Sequence, residues 1–394
     1  MKNSVCILWL EGVSPARLSE VQLLSKLAED GVDIQLTPLP LVEKGACYYQ
    51  TLTGMGSGKI GRFDAVKTEK YDVFDEVGVP EGASGRTLPD VLNARKLSAA
   101  LVEAKQFDEL QRLSDQRYDC LIVRFAAASL DSAGIEALVQ RCLEWTSPEG
   151  HLFVLTDVSS EEAGRVASIN DFLADTGILE VKEPRSRAGI VWSETLAYGV
   201  GTGQVWINLK GREAQGIVRP GTEYQQVRDA VIAELTNNWR DPQTGEPVVE
   251  RVLKKEDAYS GAYLFKAPDL VVVYKPGYAP SPKSAALDFE GVSVSGKERA
   301  PSGSAPTARL VGIGPNLVRG FSGQSALVDV MPSILYLLGQ PVTMELDGDV
   351  LSSMFTPAYL QQVPIRRISS DEELLSDEEE GMIVDRLRDL GYLG

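Results

Sequence analysis

Four short runs limit what this chain can fold into: VCILWL at 5–10, DCLIVRF at 119–125, HLFVLTD at 151–157 and DLVVVY at 269–274. Each is nearly continuous in apolar residues, the pattern of a strand buried on both faces of a largely parallel sheet. Helical patterns separate them. SPARLSEVQLLSKLAEDG at 14–31 opens on Ser14, a suitable N-cap, has Pro15 at the first helical position and closes on Gly31. SAGIEALVQRCLEW at 132–145 and TEYQQVRDAVIAELTNNW at 222–239 repeat apolar residues at i, i+3, i+4 and i+7. Strands alternating with helices predict an α/β sandwich, with a mainly parallel central sheet and helices on both faces.

Two stretches are less regular. Residues 275–308 are rich in Pro, Ser, Gly and Ala and read as a long loop across one end of the sheet. Residues 369–381, SSDEELLSDEEEG, read as an acidic linker, followed by a short amphipathic helix, MIVDRLRDLGYLG.

The net charge is −17 over 394 residues. Such a surface repels nucleic-acid phosphates and anionic lipid, so neither is an expected partner. No stretch reaches the roughly 18 apolar residues that a spanning helix needs, and direct membrane insertion is not expected. The apolar run near the N-terminus stops at Glu11, too short for a signal segment. Cys6, Cys47, Cys120 and Cys142 form no CxxC pair. Buried free thiols in a reducing compartment, and so a cytoplasmic location, are the expectation.

The second and third runs lead to chemistry. Asp157 ends the third run in LTDVSS, and Glu11 ends the first in LWLEG. The C-terminal ends of buried parallel strands are where α/β folds gather their sites. The single histidine, His151, begins the third run, roughly 20 Å of extended chain before Asp157. It follows the turn SPEG and is expected to be exposed rather than part of a site.

Several stretches, in one order, carry a resemblance. They are LWLEG (8–12), YYQTLTGMGSGKIGRFD (48–64), LTDVSS (155–160), INDFLADTGIL (169–179) and AYGVGTGQVWINLKGREAQGIV (197–218). WRDPQTGEP (239–247), APDLVVVYKPGY (267–278), PSGSAPTARLVGIGPNL (301–317) and SALVDVMPSILYLLGQPVTMELDGDVL (325–351) follow. Together they resemble the type I phosphodiesterase/nucleotide pyrophosphatase branch of the alkaline phosphatase superfamily. The resemblance covers most of the chain, is most specific in the C-terminal half and is weakest between about 65 and 115. It implies an alkaline phosphatase-like domain over 1–368 with a shortened cap at about 65–118, then the linker and helix of 369–394.

The family performs metal-assisted phosphoryl transfer. Two zinc-type ions polarise the phosphoryl oxygens and activate a Thr or Ser nucleophile, held by three aspartates and three histidines. The resemblance places Glu11 at the first aspartate and Lys44, ten residues before Gly54, at the nucleophile. Asp131 is the one candidate carboxylate after the second strand, and no histidine accompanies it. Asp157 and Val158 occupy an Asp-His doublet, and Ala305 the final histidine, behind Ser302 and Gly303. Thr37 and Thr51, the nearest Ser or Thr residues, are each seven residues from Lys44. The glycine-rich GMGSGKIG at 54–61 lacks the spacing of a P-loop and reads as a structural turn.

Five of the seven expected groups are thus absent or displaced, and no catalytic residue, metal or cofactor is expected. The implied protein is a pseudoenzyme, a binding or assembly subunit with a protein partner or a second copy of itself. Removing two cations leaves carboxylates uncompensated, so Lys44 is a candidate internal ion pair for Glu11 and Asp157; a surface lysine beside Glu43 is the plainer reading. Two alternatives stay open. One is a metal-dependent phosphodiesterase holding zinc, magnesium or manganese on Glu11, Asp131 and Asp157. The other is a metal-free protein that binds a small anion or nucleotide through Lys44 and Arg124.

Overall fold

The computed structural model describes residues 5–39, 44–61, 63, 66–67, 73–74, 85–113, 117–158, 164–201, 203–296 and 307–369. The first strands are β1 (Val5–Glu11), β2 (Val32–Thr37), β3 (Val66–Lys67), β4 (Val73–Phe74), β5 (Ala99–Ala104), β6 (Cys120–Ala126) and β7 (His151–Thr156). Then come β8 (Arg165–Ala167), β9 (Ala197–Val200), β10 (Gln204–Ile207), β11 (Val249–Lys254), β12 (Leu270–Tyr274), β13 (Tyr278–Pro280) and β14 (Val294–Gly296). The last are β15 (Ala308–Ile313), β16 (Phe321–Ala326), β17 (Val342–Thr343) and β18 (Arg367–Ile368). The helices are α1 (Pro15–Leu18), α2 (Gln22–Asp30), α3 (Lys44–Thr53), α4 (Ser57–Ile60), α5 (Leu88–Ala94) and α6 (Ser132–Trp145). They continue with α7 (Ile169–Asp175), α8 (Thr222–Asn237), α9 (Lys255–Ala258), α10 (Val330–Leu337) and α11 (Pro357–Gln362).

A seven-stranded sheet in the order β16-β2-β15-β7-β1-β6-β5 forms the centre. β15 runs antiparallel to both neighbours, and the other strands share one direction. Three of the four apolar runs are its middle strands β1, β6 and β7. Alternate residues feed two cores: Ile7, Trp9, Phe153 and Leu155 on one face, Cys6, Leu8, Leu152 and Val154 on the other. Burial on both faces is what their unbroken apolar pattern requires.

The fourth run, DLVVVY, is β12 and belongs to a separate antiparallel sheet, β11-β12-β10-β9. It too is covered on both sides, by Leu270 and Val272 in one cluster and Val271 in another, so its pattern matches that of a central strand.

Other elements refine the sequence reading. The helix expected over 14–31 is two helices, α1 and α2, with a break at 19–21. Ser14 Oγ caps α1 by accepting the Arg17 N–H. The stretch 275–308 is not a plain loop: β13 and β14 flank β8 in a three-stranded sheet, and residues 297–306 lie outside the described ones. The stretch 65–118, read as a cap, supplies β5 to the edge of the central sheet. The linker and helix expected over 369–394 fall, from 370 onward, outside the described residues. All four cysteines are buried and free. Among the described residues no helix is long and apolar enough to cross a membrane.

Candidate functional site

Parallel strands end together, so β1, β6 and β7 bring their C-terminal residues to one edge. Their register makes a cross-strand row of Glu103 on β5, Arg124 on β6, Trp9 on β1 and Leu155 on β7. Side chains two residues apart share a face, which carries Glu11 and Asp157 one step beyond Trp9 and Leu155.

Arg124 organises this edge. Its Nη2 donates to Glu11 Oε1 at 2.8 Å and its Nη1 to Glu103 Oε1 at 2.9 Å. The guanidinium also lies 4.6 Å from the centre of the Tyr48 ring, close enough for a cation–π contact. Burial by itself would lower the Arg124 pKa. The bond to Glu103 and the charge of Glu11 outweigh it and raise the pKa above the ordinary value, so the group stays charged.

Asp157 is satisfied separately. Its Oδ1 accepts the Trp9 indole N–H at 2.9 Å and its Oδ2 accepts the Gly12 N–H at 2.8 Å. Gly12 has φ +79°, and a Cβ there would lie 2.6 Å from the Ala128 Cβ. Only glycine lets the chain leave β1 at an angle that turns this N–H toward the carboxylate.

The residues singled out from the sequence have different fates. Val158, at the doublet's histidine position, is buried in the core cluster that holds Trp9, Phe153 and Leu155. Asp131 caps α6, its Oδ1 accepting the Gly134 N–H at 2.8 Å. Lys44 is the first residue of α3, the helix-opening position that the resemblance gave to the nucleophile. Its side chain lies outside the described residues, as do Glu43, Ser302, Gly303 and Ala305. Thr51 Oγ1 donates to Cys47 O at 2.9 Å and Thr37 Oγ1 to Ser325 O at 3.1 Å, so both hydroxyls are tied to main-chain carbonyls.

One reading needs correction. His151 is fully buried, because Gly314, distant in sequence, leaves room for its ring. Arg124, which one open alternative paired with Lys44 to hold an anion, is shared between two carboxylates and a ring. The signal was present: an arginine inside the apolar run CLIVRF must find a counter-charge close to its own row. Its partner Glu103 was missed because β5 lay in the stretch read as a cap. Among the described residues, no three or more His, Cys, Asp and Glu side chains are grouped so as to hold a metal ion.

No protein-family model matches the chain, and no curated protein matches it. Among solved structures, human ectonucleotide pyrophosphatase/phosphodiesterase 5 is similar at a TM-score of 0.55 and 11% identity, over 92% of this chain and 99% of that one. The chain has an alkaline phosphatase-like fold. The murine protein of the same name gives a TM-score of 0.54 at 11% identity, over 92% of this chain and 100% of its own. An inactive murine form in complex with AMP gives 0.55 at the same identity, over 92% and 99%. At that identity the likeness carries the fold, while chemistry rests on the residues at the site.

Proposed function

We propose that this chain is a catalytically degenerate phosphodiesterase-like protein acting as a binding or assembly subunit. One observation carries the reading: the two carboxylates left at the strand ends are already engaged, Glu11 by Arg124 and Asp157 by Trp9 and Gly12. A divalent ion binds carboxylates with oxygens free to coordinate it, and here a fixed cation occupies Glu11. The guanidinium supplies positive charge but no open coordination position, so it offsets part of the negative charge of the edge without activating a nucleophile. Thr37 and Thr51 offer no replacement hydroxyl, since each donates to a backbone carbonyl.

A protein partner or a second copy of the chain is the proposed ligand, with no metal or cofactor required. The four buried thiols suit a reducing, cytoplasmic setting. The test is hydrolysis of an aryl phosphodiester and an aryl phosphomonoester with zinc, manganese, magnesium or calcium supplied. The expected rate equals that of buffer and metal alone, for the native protein and for Asp157→Ala alike. Metal-dependent turnover that disappears in a folded Asp157→Ala variant would overturn the proposal.

A further inference from the structure

His151 opens β7 at the opposite end of the sheet from Asp157. Its ring lies against the backbone of Gly314, where a Cβ would be 2.1 Å from the ring's Cδ2. Nε2 accepts the Asn316 N–H at 3.4 Å. A neutral imidazole that accepts at Nε2 carries its proton on Nδ1, which is buried and has no partner among the described residues. The turn so held is itself a clamp. Asn316 O accepts the Thr356 N–H at 2.9 Å, the Val318 N–H donates to Met354 O at 2.9 Å, and Leu317 pairs with Phe355 as an isolated bridge. Thr356 in turn caps α11.

We propose that His151 is an acid-sensitive latch, whose protonation releases the turn at 314–318 and with it the segment 352–363 bonded to that turn. The imidazolium has two donors and no acceptor, so its Nε2–H would face the Asn316 N–H, donor against donor. The ionisable groups on neighbouring elements do not compensate it. β1 places Val5 beside His151 and carries Cys6 and Glu11 further along; Asp119, before β6, accepts the Ser98 N–H, and Cys120 is buried. Glu149, in the turn before β7, is exposed; Arg309 on β15 pairs with Asp33; Tyr359 on α11 donates to Leu337 O. The turn itself has no ionisable side chain.

Burial holds the His151 pKa down to about 4, against 6.5 for the free group. The closed turn therefore has its full stability above pH 6.5. It loses stability as pH falls from 6.5 to about 4, because only the open form takes up the proton. The linkage gives a roughly thirtyfold rise in opening between pH 7.5 and pH 5.

The test is amide hydrogen exchange on the full chain at these two pH values, corrected for intrinsic exchange, for the native protein and for His151→Gln, which keeps an acceptor but does not titrate. The expected result is that rise at 314–318 and 352–363 in the native protein and a flat response in the variant. An equal rise in the variant, or one spread evenly over the chain, would overturn the latch. Should the variant fail to fold, the imidazole signal of the only histidine decides. A midpoint near 4 in the folded native protein supports the latch, and a midpoint near 6.5 ends it.

Discussion

Asp269→Ala should destabilise the protein by about 3–5 kcal/mol, the range for breaking a buried ion pair from one side. Asp269 is fully buried just before β12. Its carboxylate accepts from Arg212 Nη1 at 2.9 Å and Nη2 at 2.5 Å, from Tyr224 OH at 2.6 Å and from the Ile207 N–H at 2.8 Å. Lys255 Nζ stands 3.5 Å away. Burial alone would raise the carboxyl pKa, but the bond to Arg212 and its charge hold it below the ordinary value. Alanine removes the common acceptor and leaves Arg212 and a buried backbone N–H to be satisfied otherwise, which is where the free energy goes. Urea unfolding measures it. A loss under about 1 kcal/mol would mean that the network relaxes around the gap and does not hold the second sheet.

Arg165→Ala should have an effect of the same size, about 3–5 kcal/mol. Arg165 and Asp241 are both fully buried, with Nε to Oδ2 at 2.8 Å and Nη2 to Oδ1 at 2.5 Å. Nη1 also reaches Gln243 Oε1 and Gly296 O, so one guanidinium ties β8 to β14 and to the chain after α8. Without it, the Asp241 carboxylate keeps, among the described residues, the Gln243 N–H and Tyr278 OH. Arg165→Lys should recover little, since an ammonium cannot form the two parallel bonds.

The pH dependence has a definite sign. Burial opposes the charge on Asp241, but the Gln243 N–H and Arg165 bring its pKa below the ordinary carboxylate value. This stabilisation is present above that ordinary value and is lost as pH falls through the folded pKa. In Arg165→Ala the folded pKa rises, so acid unfolding should begin at a higher pH. An acid transition unmoved by the substitution would contradict the assignment.

These networks explain why the phosphodiesterase-like fold was readable while its chemistry was not. Arg212 lies in the stretch AYGVGTGQVWINLKGREAQGIV, Asp269 in APDLVVVYKPGY and Asp241 in WRDPQTGEP, three of the stretches that carried the resemblance. Their work is internal: Arg212 and Asp269 satisfy each other beside the second sheet, and Asp241 satisfies Arg165 of β8 in the three-stranded sheet. A sequence can therefore keep such stretches after its strand-end carboxylates have taken other partners. β1, β6 and β7 were legible because two-sided burial leaves an unbroken apolar run. The same signature concealed the sheet to which β12 belongs, since it encodes burial and not strand direction. Val158 was readable as a core residue because valine has nothing else to offer. His151 was misread because the polar turn before it suggested exposure, whereas its surroundings are set by Gly314 and Asn316 from another strand's end. Arg124 needed the pairing of β5 with β6, a contact between segments with no shared pattern.

Metal content tests the central claim most directly: that Arg124 has taken the place of metal charge at the strand ends. The protein, purified without chelator, is analysed for bound elements, then titrated with zinc, manganese, magnesium and calcium while thermal unfolding is followed. The account predicts fewer than about 0.1 bound ions per chain and no shift in unfolding temperature with any of the four. One or two ions per chain, lost in Asp157→Ala, would contradict it and restore a metal-dependent phosphodiesterase.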